Sequence, residues 1–571
     1  MVCQEIFNEV NKNSNIRLSY DLKSFQKIQK DLLSLNSNAP NINLFVNNEG
    51  WFSKAVFFSS IEDTSLKLMT QINTIESLYF FNFSREDIFT IISANDNVKE
   101  LVVYSSMLIS EDYDKIFKIC PSLISLSLIN CLVDINCEKI FESLDKLENI
   151  KELNLSKNLL SSLPNTINKL KSLEKLVLKG NRLKQISPDI HLLSSLKLLD
   201  ISFNELTFIP KEICELASLQ TLLLGTNKMT FLPDILGNLT SIQILDLSAN
   251  RLSSLPDSLC QLKMLKSIDL RANNFSSFPM ELCKCLSLEA LNIRLNNISS
   301  IPNSICSLTS LKFFDISANS LKTLSESICS IKSMESLNLC YNQLRQLPES
   351  FGSLCSLVFL DISYNGLYSL PNSFGFLISL QSFYAEHNQI HALPNSFCHL
   401  SLLRSLDIGN NCLSQLPDEF GSLNSLQSLD LRFNRISTLP DSFGDLNSLN
   451  TLNLQRNQIS SLPATFGSLT ALKLLSLHEN ILHYIPESFG LLSSLQLLNL
   501  RNNQLSILPS TLGKLHSIKH IDLSKNKLLT LAEDFLLCKN ILYINVEGNE
   551  AFKIPESVFE YRFIRKPKSS T

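Results

Sequence analysis

Glycine is scarce in this chain of 571 residues, which has only fourteen. Eight of them recur at one position of a repeat, so they do not form a glycine-rich phosphate-binding loop. The eight histidines have no nucleophile at a meaningful spacing, and His478-Glu479 lacks the second histidine of a metalloprotease helix. These absences predict that the protein is not an enzyme and that it holds no cofactor and no metal.

Long apolar runs and a strong excess of one charge are missing as well. No stretch reaches eighteen apolar residues, which predicts no membrane span. A net charge of −4 argues against a nucleic-acid partner. The first residues, Met1 to Glu5, lack the basic and apolar segments of a secretory signal peptide, so we expect a cytoplasmic protein.

The fifteen cysteines allow two interpretations, a framework of disulfides or metal ligands, or small apolar side chains in a reducing compartment. Six of them alternate with glycine at one repeat position, which favours small apolar side chains. In an oxidising compartment, neighbouring repeats would bring four of them near bridging distance, which is the minor alternative: Cys260, Cys283, Cys306 and Cys329.

What the sequence does contain is one residue at a fixed period. Aligned copies share the pattern L-x-x-L-x-L-x-x-N-x-L-x-x-L-P, and no insertion or deletion interrupts the series. A constant period means one small unit that is copied and stacked. The asparagine of the pattern recurs at a constant step at eighteen positions: Asn158, Asn181, Asn204, Asn227, Asn250, Asn273, Asn296, Asn319, Asn342, Asn365, Asn388, Asn411, Asn434, Asn457, Asn480, Asn503, Asn526 and Asn549.

Each copy predicts a strand followed by a short helical segment. The alternation at Leu429 and Leu431 is typical of a strand with one buried face. Leu439, Phe443 and Leu446 are four and three residues apart, which suits a helical or 3₁₀ turn. Because neither element buries a core alone, the copies must stack into an α/β solenoid. The asparagine follows the strand, where we expect its amide to form a structural ladder with backbone groups that have lost their sheet partners.

Three further positions agree with this interpretation. The position six after the asparagine is proline in fifteen of the eighteen copies, which fixes φ as the chain leaves the sheet. The position ten after it is Gly or Cys in fourteen of the sixteen copies from Asn158 to Asn503, which predicts close packing against the next coil. The position four before it is Asp or Asn in fourteen of eighteen copies. These acids come singly, which predicts a solvated polar ladder and not a metal site.

The register divides the chain into four parts. We expect a helical N-terminal cap in residues 1–40, degenerate repeats in 41–149, eighteen regular repeats in 150–550, and a C-terminal cap with a basic tail in 551–571. Within the second part, residues 54–58 read Lys-Ala-Val-Phe-Phe and match a docking motif for type 1 phosphatases. The alternative, which we favour, is a buried strand of a degenerate repeat.

The repeat consensus resembles that of leucine-rich repeat proteins. The 23-residue unit with proline after the fourth leucine is similar to the intracellular Ras-group type, which includes Ras-binding phosphatase scaffolds, the Erbin and Scribble polarity proteins and plant intracellular Ras-group proteins. The resemblance covers about 400 residues. It implies a right-handed horseshoe with a parallel β-sheet on its concave face and short helical or 3₁₀ segments on its convex face. It also implies protein–protein scaffolding, with small GTPases or Ser/Thr phosphatases as partners.

The candidate binding residues are those around the asparagine at which the copies stop agreeing. Bases early and late in the array flank an acidic and aromatic middle, and Tyr, Phe and Arg are enriched at binding hot spots. We expect the concave face to bind a folded protein through twelve residues: Arg271, Arg294, Tyr341, Phe359, Tyr364, Tyr384, Glu386, Arg432, Phe433, Arg435, Arg456 and Arg501. Reversing the charges of Arg432, Arg435 and Arg456 is expected to abolish partner capture without lowering the melting temperature.

The pattern therefore predicts a non-catalytic, monomeric scaffold in intracellular signalling. Its partner class would be a Ras-like GTPase or a Ser/Thr phosphatase. Two alternatives stay open at this point. One is the regulatory repeat region of a larger signalling enzyme, such as a cyclase or phosphatase. The other is a secreted or surface recognition effector.

Overall fold

The structure of the protein is a computed structural model. The expected helical cap over residues 1–40 lies outside the described residues, as does most of the expected C-terminal cap over 551–571. The chain forms two compact units, Met1–Thr221 and Leu222–Thr571. The residues that the structure describes are 43–46, 52–58, 76–81, 85–93, 97–106, 108, 110–131, 147, 149–163, 165–531, 540–553 and 564–565.

In the first unit, strands β2 to β8 pair in parallel, each with the next, and β1 is antiparallel to β2. Paired residues are 23, 25 and 27 positions apart from β3 to β6 and 23 apart afterwards. The strands are β1 Asn43–Val46, β2 Phe52–Phe58, β3 Ser77–Phe81, β4 Glu100–Tyr104, β5 Ser125–Ile129, β6 Glu152–Asn154, β7 Lys175–Val177 and β8 Leu198–Asp200. The described returns are helices α1 Arg85–Ser93 and α2 Ser110–Ile119, then 3₁₀ helices Asn165–Lys169, Pro188–Leu192 and Lys211–Glu215.

In the second unit, strands β10 to β23 pair in parallel at one constant step, as Leu406 with Leu429. β9, Thr221–Leu223, contains the division between the units. The strands are β10 Ile244–Asp246, β11 Ser267–Asp269, β12 Ala290–Asn292, β13 Phe313–Asp315, β14 Ser336–Asn338, β15 Phe359–Asp361, β16 Ser382–Tyr384, β17 Ser405–Asp407, β18 Ser428–Asp430, β19 Thr451–Asn453, β20 Leu474–Ser476, β21 Leu497–Asn499, β22 His520–Asp522, β23 Tyr543–Asn545 and β24 Ile564–Arg565.

The described returns of the second unit are short 3₁₀ helices, of either five or three residues. They are Leu236–Asn238, Asp257–Gln261, Met280–Lys284, Asn303–Ser307, Glu326–Ser330, Phe351–Ser353, Asn372–Phe376, Asn395–His399, Phe420–Ser422, Asp441–Asp445, Ala464–Ser468, Glu487–Leu491 and Ser510–Lys514. The predicted fold class, a leucine-rich repeat solenoid with a parallel sheet and short 3₁₀ returns, is confirmed.

The core of the second unit is a set of parallel ladders of identical side chains. In β18 the middle residue, Leu429, is fully buried, whereas Ser428 and Asp430 point away from the core. Burying a leucine or phenylalanine contributes about 1.5–3 kcal/mol. On the return side, ring centroids of successive phenylalanines stack 5.8–6.1 Å apart: Phe420, Phe443, Phe466 and Phe489.

The asparagine register lies inside the solenoid, against the backbone. Asn434 is buried, and its Oδ1 accepts a hydrogen bond from the Leu413 N–H of the preceding coil at 2.9 Å. Its Nδ2 donates to the carbonyl oxygen of Ile408 at 2.9 Å and to that of Leu431 at 3.1 Å. The ladder therefore runs from side chain to backbone, so that each asparagine ties two coils together at the point where the strand ends.

The residue before each asparagine adopts a left-handed conformation. In all eighteen regular copies its φ is positive, between 50° and 58° for the sixteen residues that are not glycine. Gly180 and Gly548 avoid the steric cost of about 1–2 kcal/mol that a Cβ carries there, and Asn410 and Asn502 reduce it. The strand thus turns at a fixed angle, and the side chain at this position is held in a fixed direction.

The position ten after the asparagine needs a small residue because the next coil approaches it closely. A Cβ built on Gly421 would lie 1.8 Å from the carbonyl oxygen of Ser442. In three copies this position is glycine while the preceding coil has cysteine at the same position. In these copies the 3₁₀ return is only three residues long: Leu236–Asn238, Phe351–Ser353 and Phe420–Ser422. The change from cysteine to glycine along this column therefore coincides with a change in the shape of the return.

Candidate functional site

The exposed surface of the sheet is built from five positions in each repeat. We define the sheet face as the residues six, four, two and one before each asparagine and one after it. The first two are the outward-facing ends of the three-residue strand, and the next two follow it into the left-handed turn.

Three aromatic rings form a stacked row on the sheet face. The ring centroids of Tyr341 and Tyr364 are 4.1 Å apart with an interplanar angle of 8°, and those of Tyr364 and His387 are 4.4 Å apart. Tyr341 is 52% exposed and Tyr364 is 36% exposed. The hydrogen bond with Tyr341 is the main cause that raises the pKa of Tyr364. All three occupy the left-handed position, so the turn of the backbone fixes the direction of the row.

An ion pair crosses two coils beside this row. Arg432 Nη2 lies 2.6 Å from Glu386 Oε1, although the two residues are 46 positions apart. The intervening residue of the same column is Gly409, on which a Cβ would lie 3.1 Å from Arg432 Cγ and 3.2 Å from Asp407 Oδ1. Asn410 Nδ2 also donates to Glu386 Oε1, at 3.1 Å. The absence of a side chain at Gly409 therefore leaves the space through which the guanidinium reaches Glu386.

Two aspartates lie under this ion pair with raised pKa values. Burial raises the pKa of Asp407 to about 6, and the like charges of Asp430 and Glu386 act in the same direction. Burial also raises the pKa of Asp430, against the opposing charge of Arg432, whose Nη1 lies 3.2 Å from Asp430 Oδ2. Arg432 thus pairs with two carboxylates, those of Glu386 and Asp430, and it is part of the surface's own framework.

A second row, which contains charged residues, occupies the same left-handed position as the aromatic row, further along the chain. The Arg456 guanidinium lies 4.8 Å from the centroid of the Phe433 ring, and its Nε pairs with Glu479 Oε2. A cation over an aromatic face is attracted by the ring's negative charge density. Arg456 therefore contacts the Phe433 ring of the preceding coil and is neutralised by Glu479 of the following coil.

A shallow cavity of about 240 Å³ opens on the sheet face around Phe313 and Phe359. Both rings stand at the first strand position, and Ser336 is paired with each of them from the strand between. Phe313 is 50% exposed. Tyr384 lies beside Phe359, with its ring centroid 5.7 Å from that of Phe359 and its hydroxyl 3.4 Å from Ser405 Oγ.

The structure brings eight of the twelve predicted residues into contacts with a sheet-face residue of a different coil. Tyr341 and Tyr364 stack, Glu386 pairs with Arg432, Phe359 meets Tyr384, and Phe433 meets Arg456. The other four predicted residues are exposed arginines that make none of these contacts: Arg271, Arg294, Arg435 and Arg501. Arg271 Nε lies 3.4 Å from Oδ2 of Asp269 in its own coil.

The residues of the site that lie outside the twelve predicted ones include His387, Gly409 and Glu479. The signal for His387 and Glu479 was available, because His387 follows Tyr364 by one repeat length and Glu479 follows Arg456 by one repeat length. Gly409 occupies the same repeat position as Glu386 in the preceding coil and Arg432 in the following coil. The sequence alone does not show that those two side chains form an ion pair across the glycine.

The remaining sequence predictions concern thiols, metals and the docking motif. The twelve cysteines within the described part of the chain are free thiols. In the same part, no cluster of three or more His, Cys, Asp or Glu side chains could hold a metal ion. The helices described there are too short or too polar to cross a bilayer. The motif at 54–58 falls in strand β2, whose two edges pair with β1 and β3, and its side-chain burial lies outside what the structure describes.

Three family models match this chain, and all describe the same repeat. A leucine-rich repeat region matches residues 387–484. A second leucine-rich repeat model matches 171–229, 265–321 and 314–367. A third matches 241–262 and 494–515. The chain is a leucine-rich repeat protein.

Solved structures of other repeat proteins have the same fold. A leucine-rich repeat protein of Leptospira interrogans is 29% identical over 75% of this chain and 95% of its own, with a TM-score of 0.54. The Arabidopsis receptor kinase HAESA, in complex with the peptide hormone IDA and a co-receptor, is 22% identical over 97% of this chain and 98% of its own, with a TM-score of 0.55. Drosophila Toll, in complex with Spatzle, is 19% identical over 91% of this chain and 70% of its own, with a TM-score of 0.65. Comparison with curated proteins finds no match.

Proposed function

We propose that this protein is a non-catalytic scaffold in intracellular signalling and that the sheet face of its second unit binds a folded protein. The observation that carries the proposal is the stacked row of Tyr341, Tyr364 and His387. Large aromatic side chains exposed on a sheet are costly in water unless a partner covers them. Aromatic residues that are rigid before binding lose little conformational entropy when a partner covers them.

The row is rigid for two physical reasons. The left-handed backbone at each of the three residues fixes the direction of the Cα–Cβ bond. The stacking of each ring on its neighbour then restricts the side-chain rotamers. The adjacent Glu386–Arg432 pair provides a charged rim, and a polar rim around an aromatic centre is the usual anatomy of a protein interface.

The proposed compartment is the cytoplasm. Cys306 and Cys355 are exposed free thiols, which a reducing compartment preserves. Burial raises the pKa of Cys214 to about 12, so this thiol should be inert. A membrane-permeable maleimide should label Cys306 and Cys355 in intact cells, and an impermeable one should not. Labelling by the impermeable reagent would contradict the proposed location.

The proposed partner class is a small GTPase or a Ser/Thr phosphatase catalytic subunit. The support is the resemblance of the repeat to the intracellular Ras-group type, whose scaffolds bind such proteins. Immobilised small GTPases, loaded with GDP or with a non-hydrolysable GTP analogue, and immobilised phosphatase catalytic subunits should be compared as baits. Light scattering of the purified chain tests the accompanying proposal that it is monomeric.

The decisive variant is Tyr341→Ala combined with Tyr364→Ala. Alanine already occupies the same left-handed position at Ala249, Ala272 and Ala318, so the backbone should tolerate it. Capture of the partner should fall at least tenfold, because truncating a hot-spot aromatic costs about 2 kcal/mol or more.

The matched control is Tyr368→Ala combined with Tyr484→Ala, which removes two exposed tyrosines outside the sheet face. It should leave capture unchanged. Equal capture by both double variants would refute the site. Charge reversal at Arg432 and Arg456 is a poorer test than the sequence suggested, since it would place new acids beside Glu386 and Glu479 and should lower stability.

A further inference from the structure

The three coils that carry the aromatic row, together with the coil before them, form an acidic strip between two basic stretches of the sheet face. We define the acidic strip as the sheet-face positions of the repeats centred on Asn319, Asn342, Asn365 and Asn388. These twenty positions contain no lysine and no arginine. Their carboxylates are Asp315, Asp361 and Glu386. Arginines resume on either side, at Arg271 and Arg294 before the strip and at Arg432 and Arg456 after it.

The aromatic row has one free end within this strip. Tyr364 covers one face of the Tyr341 ring. The other face is directed toward the preceding coil, where the corresponding residue is Ala318. The Ala318 N–H donates to the carbonyl oxygen of Cys340 at 2.8 Å, which places Ala318 directly beside Tyr341. The row therefore continues into a position where this chain provides only a methyl group, and the outer face of Tyr341 is open.

Elsewhere the chain itself fills such a position with a cation. Arg456 lies over the ring of Phe433 from the next coil, 4.8 Å from the centroid. In the first unit, Lys179 lies over the ring of Phe203 at 5.1 Å. The spacing of the coils in this fold thus suits a cation stacked on an aromatic residue at the left-handed position before the asparagine, which we call the left-handed column. At Tyr341 the chain provides the ring without the cation.

The shallow cavity of about 240 Å³ extends over strands β11 to β15 and reaches the same strip. Within the strip, Phe313 and Phe359 flank Ser336, and the gap between the two rings suits one apolar side chain. Asp315 and Asn338 line its polar side. Ser336 and Tyr341 belong to the same repeat, five residues apart, so one extended segment crossing the strip meets both features.

We propose that the acidic strip recognises a basic, extended segment of the partner protein, in which an arginine stacks on the open face of Tyr341 and a neighbouring apolar side chain enters the cavity between Phe313 and Phe359. Arginine suits the first position because its planar guanidinium stacks on aromatic rings and is weakly hydrated. Asp315 and Asp361 supply a complementary negative field, whereas Glu386 is already paired with Arg432. This inference rests on the proposed function and adds the chemistry of the partner.

The probe is a fluorescein-labelled octapeptide of alternating arginine and leucine, with two matched peptides in which every arginine is citrulline or glutamate. Citrulline keeps the shape of arginine and removes its charge. Fluorescence anisotropy with the full chain should show that the arginine peptide binds at least tenfold more tightly than the citrulline peptide, and that the glutamate peptide does not bind. Equal affinity for the arginine and citrulline peptides would overturn the inference.

Two variants locate the binding on the strip. Tyr341→Ala should weaken binding of the arginine peptide about threefold to tenfold, as expected for loss of a cation–aromatic contact. Ser336→Leu should also weaken it, because the new side chain fills the cavity. Tyr484→Ala, which removes an equally exposed tyrosine away from the strip, is the control and should bind as the wild type does. If Tyr341→Ala and Tyr484→Ala bind the peptide equally, the proposal is wrong.

The partner-capture experiment separates this inference from the proposed function. Loss of capture by the Tyr341 and Tyr364 double variant, with no discrimination between the arginine and citrulline peptides, would keep the interaction surface and reject the basic segment. Unchanged capture by that variant, with clear peptide discrimination, would reject the proposed surface for the folded partner and keep the strip as a site for basic peptides.

Discussion

Replacing Asp407 with asparagine should stabilise the protein at neutral pH. Asp407 ends strand β17, and its Oδ1 accepts a hydrogen bond from the Gly409 N–H at 2.9 Å. Burial and the neighbouring charges of Asp430 and Glu386 raise its pKa from 3.8 to about 6. An ionised carboxylate at this place is therefore unfavourable in the folded state. Asparagine keeps the same acceptor, as Asn453 shows by accepting from the Gln455 N–H in the same column.

The size of the stabilisation expected for Asp407→Asn follows from the raised pKa of Asp407. Two pKa units correspond to about 3 kcal/mol, because each unit corresponds to about 1.4 kcal/mol. Asp407 is only partly buried, so solvent screening reduces the expected gain in the free energy of unfolding to about 1 kcal/mol.

The size of the effect also depends on pH. Between about pH 4 and pH 6 the folded state binds more protons at Asp407 than the unfolded state does, so the contribution of this residue to stability falls as pH rises through that window. Above pH 6 the penalty is fully present. The advantage of Asp407→Asn should therefore be largest at pH 7.5 and should nearly vanish at pH 4.

Urea unfolding of the wild type and of Asp407→Asn at pH 4 and pH 7.5 measures this difference. Asp361→Asn is the matched control, since its neighbours in the same column are the uncharged Asn338 and Tyr384. Repeat proteins do not always unfold in one step, so the comparison should use the transition that reports on the second unit. A lower midpoint for Asp407→Asn at pH 7.5, or a difference that does not change with pH, would refute the electrostatic account.

Two further substitutions test the framework under the sheet face. Asn434→Ala removes three hydrogen bonds to buried backbone groups and should destabilise the fold by about 3 kcal/mol in urea unfolding, whereas the exposed Asn447→Ala should have little effect. Gly421→Ala places a Cβ 1.8 Å from the Ser442 carbonyl oxygen and should cost about 2 kcal/mol or more; Gly366→Ala, whose Cβ would meet nothing nearer than 3.5 Å, should be close to neutral. Equal midpoints within either pair would contradict the packing described above.

The sequence predicted the repeat geometry well because that geometry depends on contacts between equivalent residues. One strand alternation and one helical spacing, copied at a constant period, fix the pairing of Leu406 with Leu429 and the burial of both. What it did not predict was the backbone at the residue before each asparagine. Residues there range from Ala249 to Phe433, so no residue type marks the left-handed turn. The turn is imposed by the hydrogen bonds that the following asparagine makes on both sides of it.

The candidate site was predicted less completely, because its contacts join different columns and different coils. Arg432 was expected to contact a partner, yet the structure pairs it with Glu386 two coils away and with Asp430 in its own coil. Only the absence of a side chain at Gly409 makes the longer contact possible. A periodic pattern identifies which residues share a face, but it does not identify which charged side chains on that face neutralise one another.

The left-handed column gives a physical reason to look for function at its aromatic members. A bulky side chain at positive φ costs about 1–2 kcal/mol, and glycine or asparagine would remove most of that cost, as at Gly180 and Asn410. Stability alone would therefore favour those residues throughout the column. Tyr341 and Tyr364 carry this steric cost and also expose large apolar surfaces to water. Their mutual stacking offsets part of the unfavourable free energy. A partner that covers the outer face of Tyr341 would offset more of it, and would do so only in the complex. We therefore expect replacement of these tyrosines to weaken binding far more than folding.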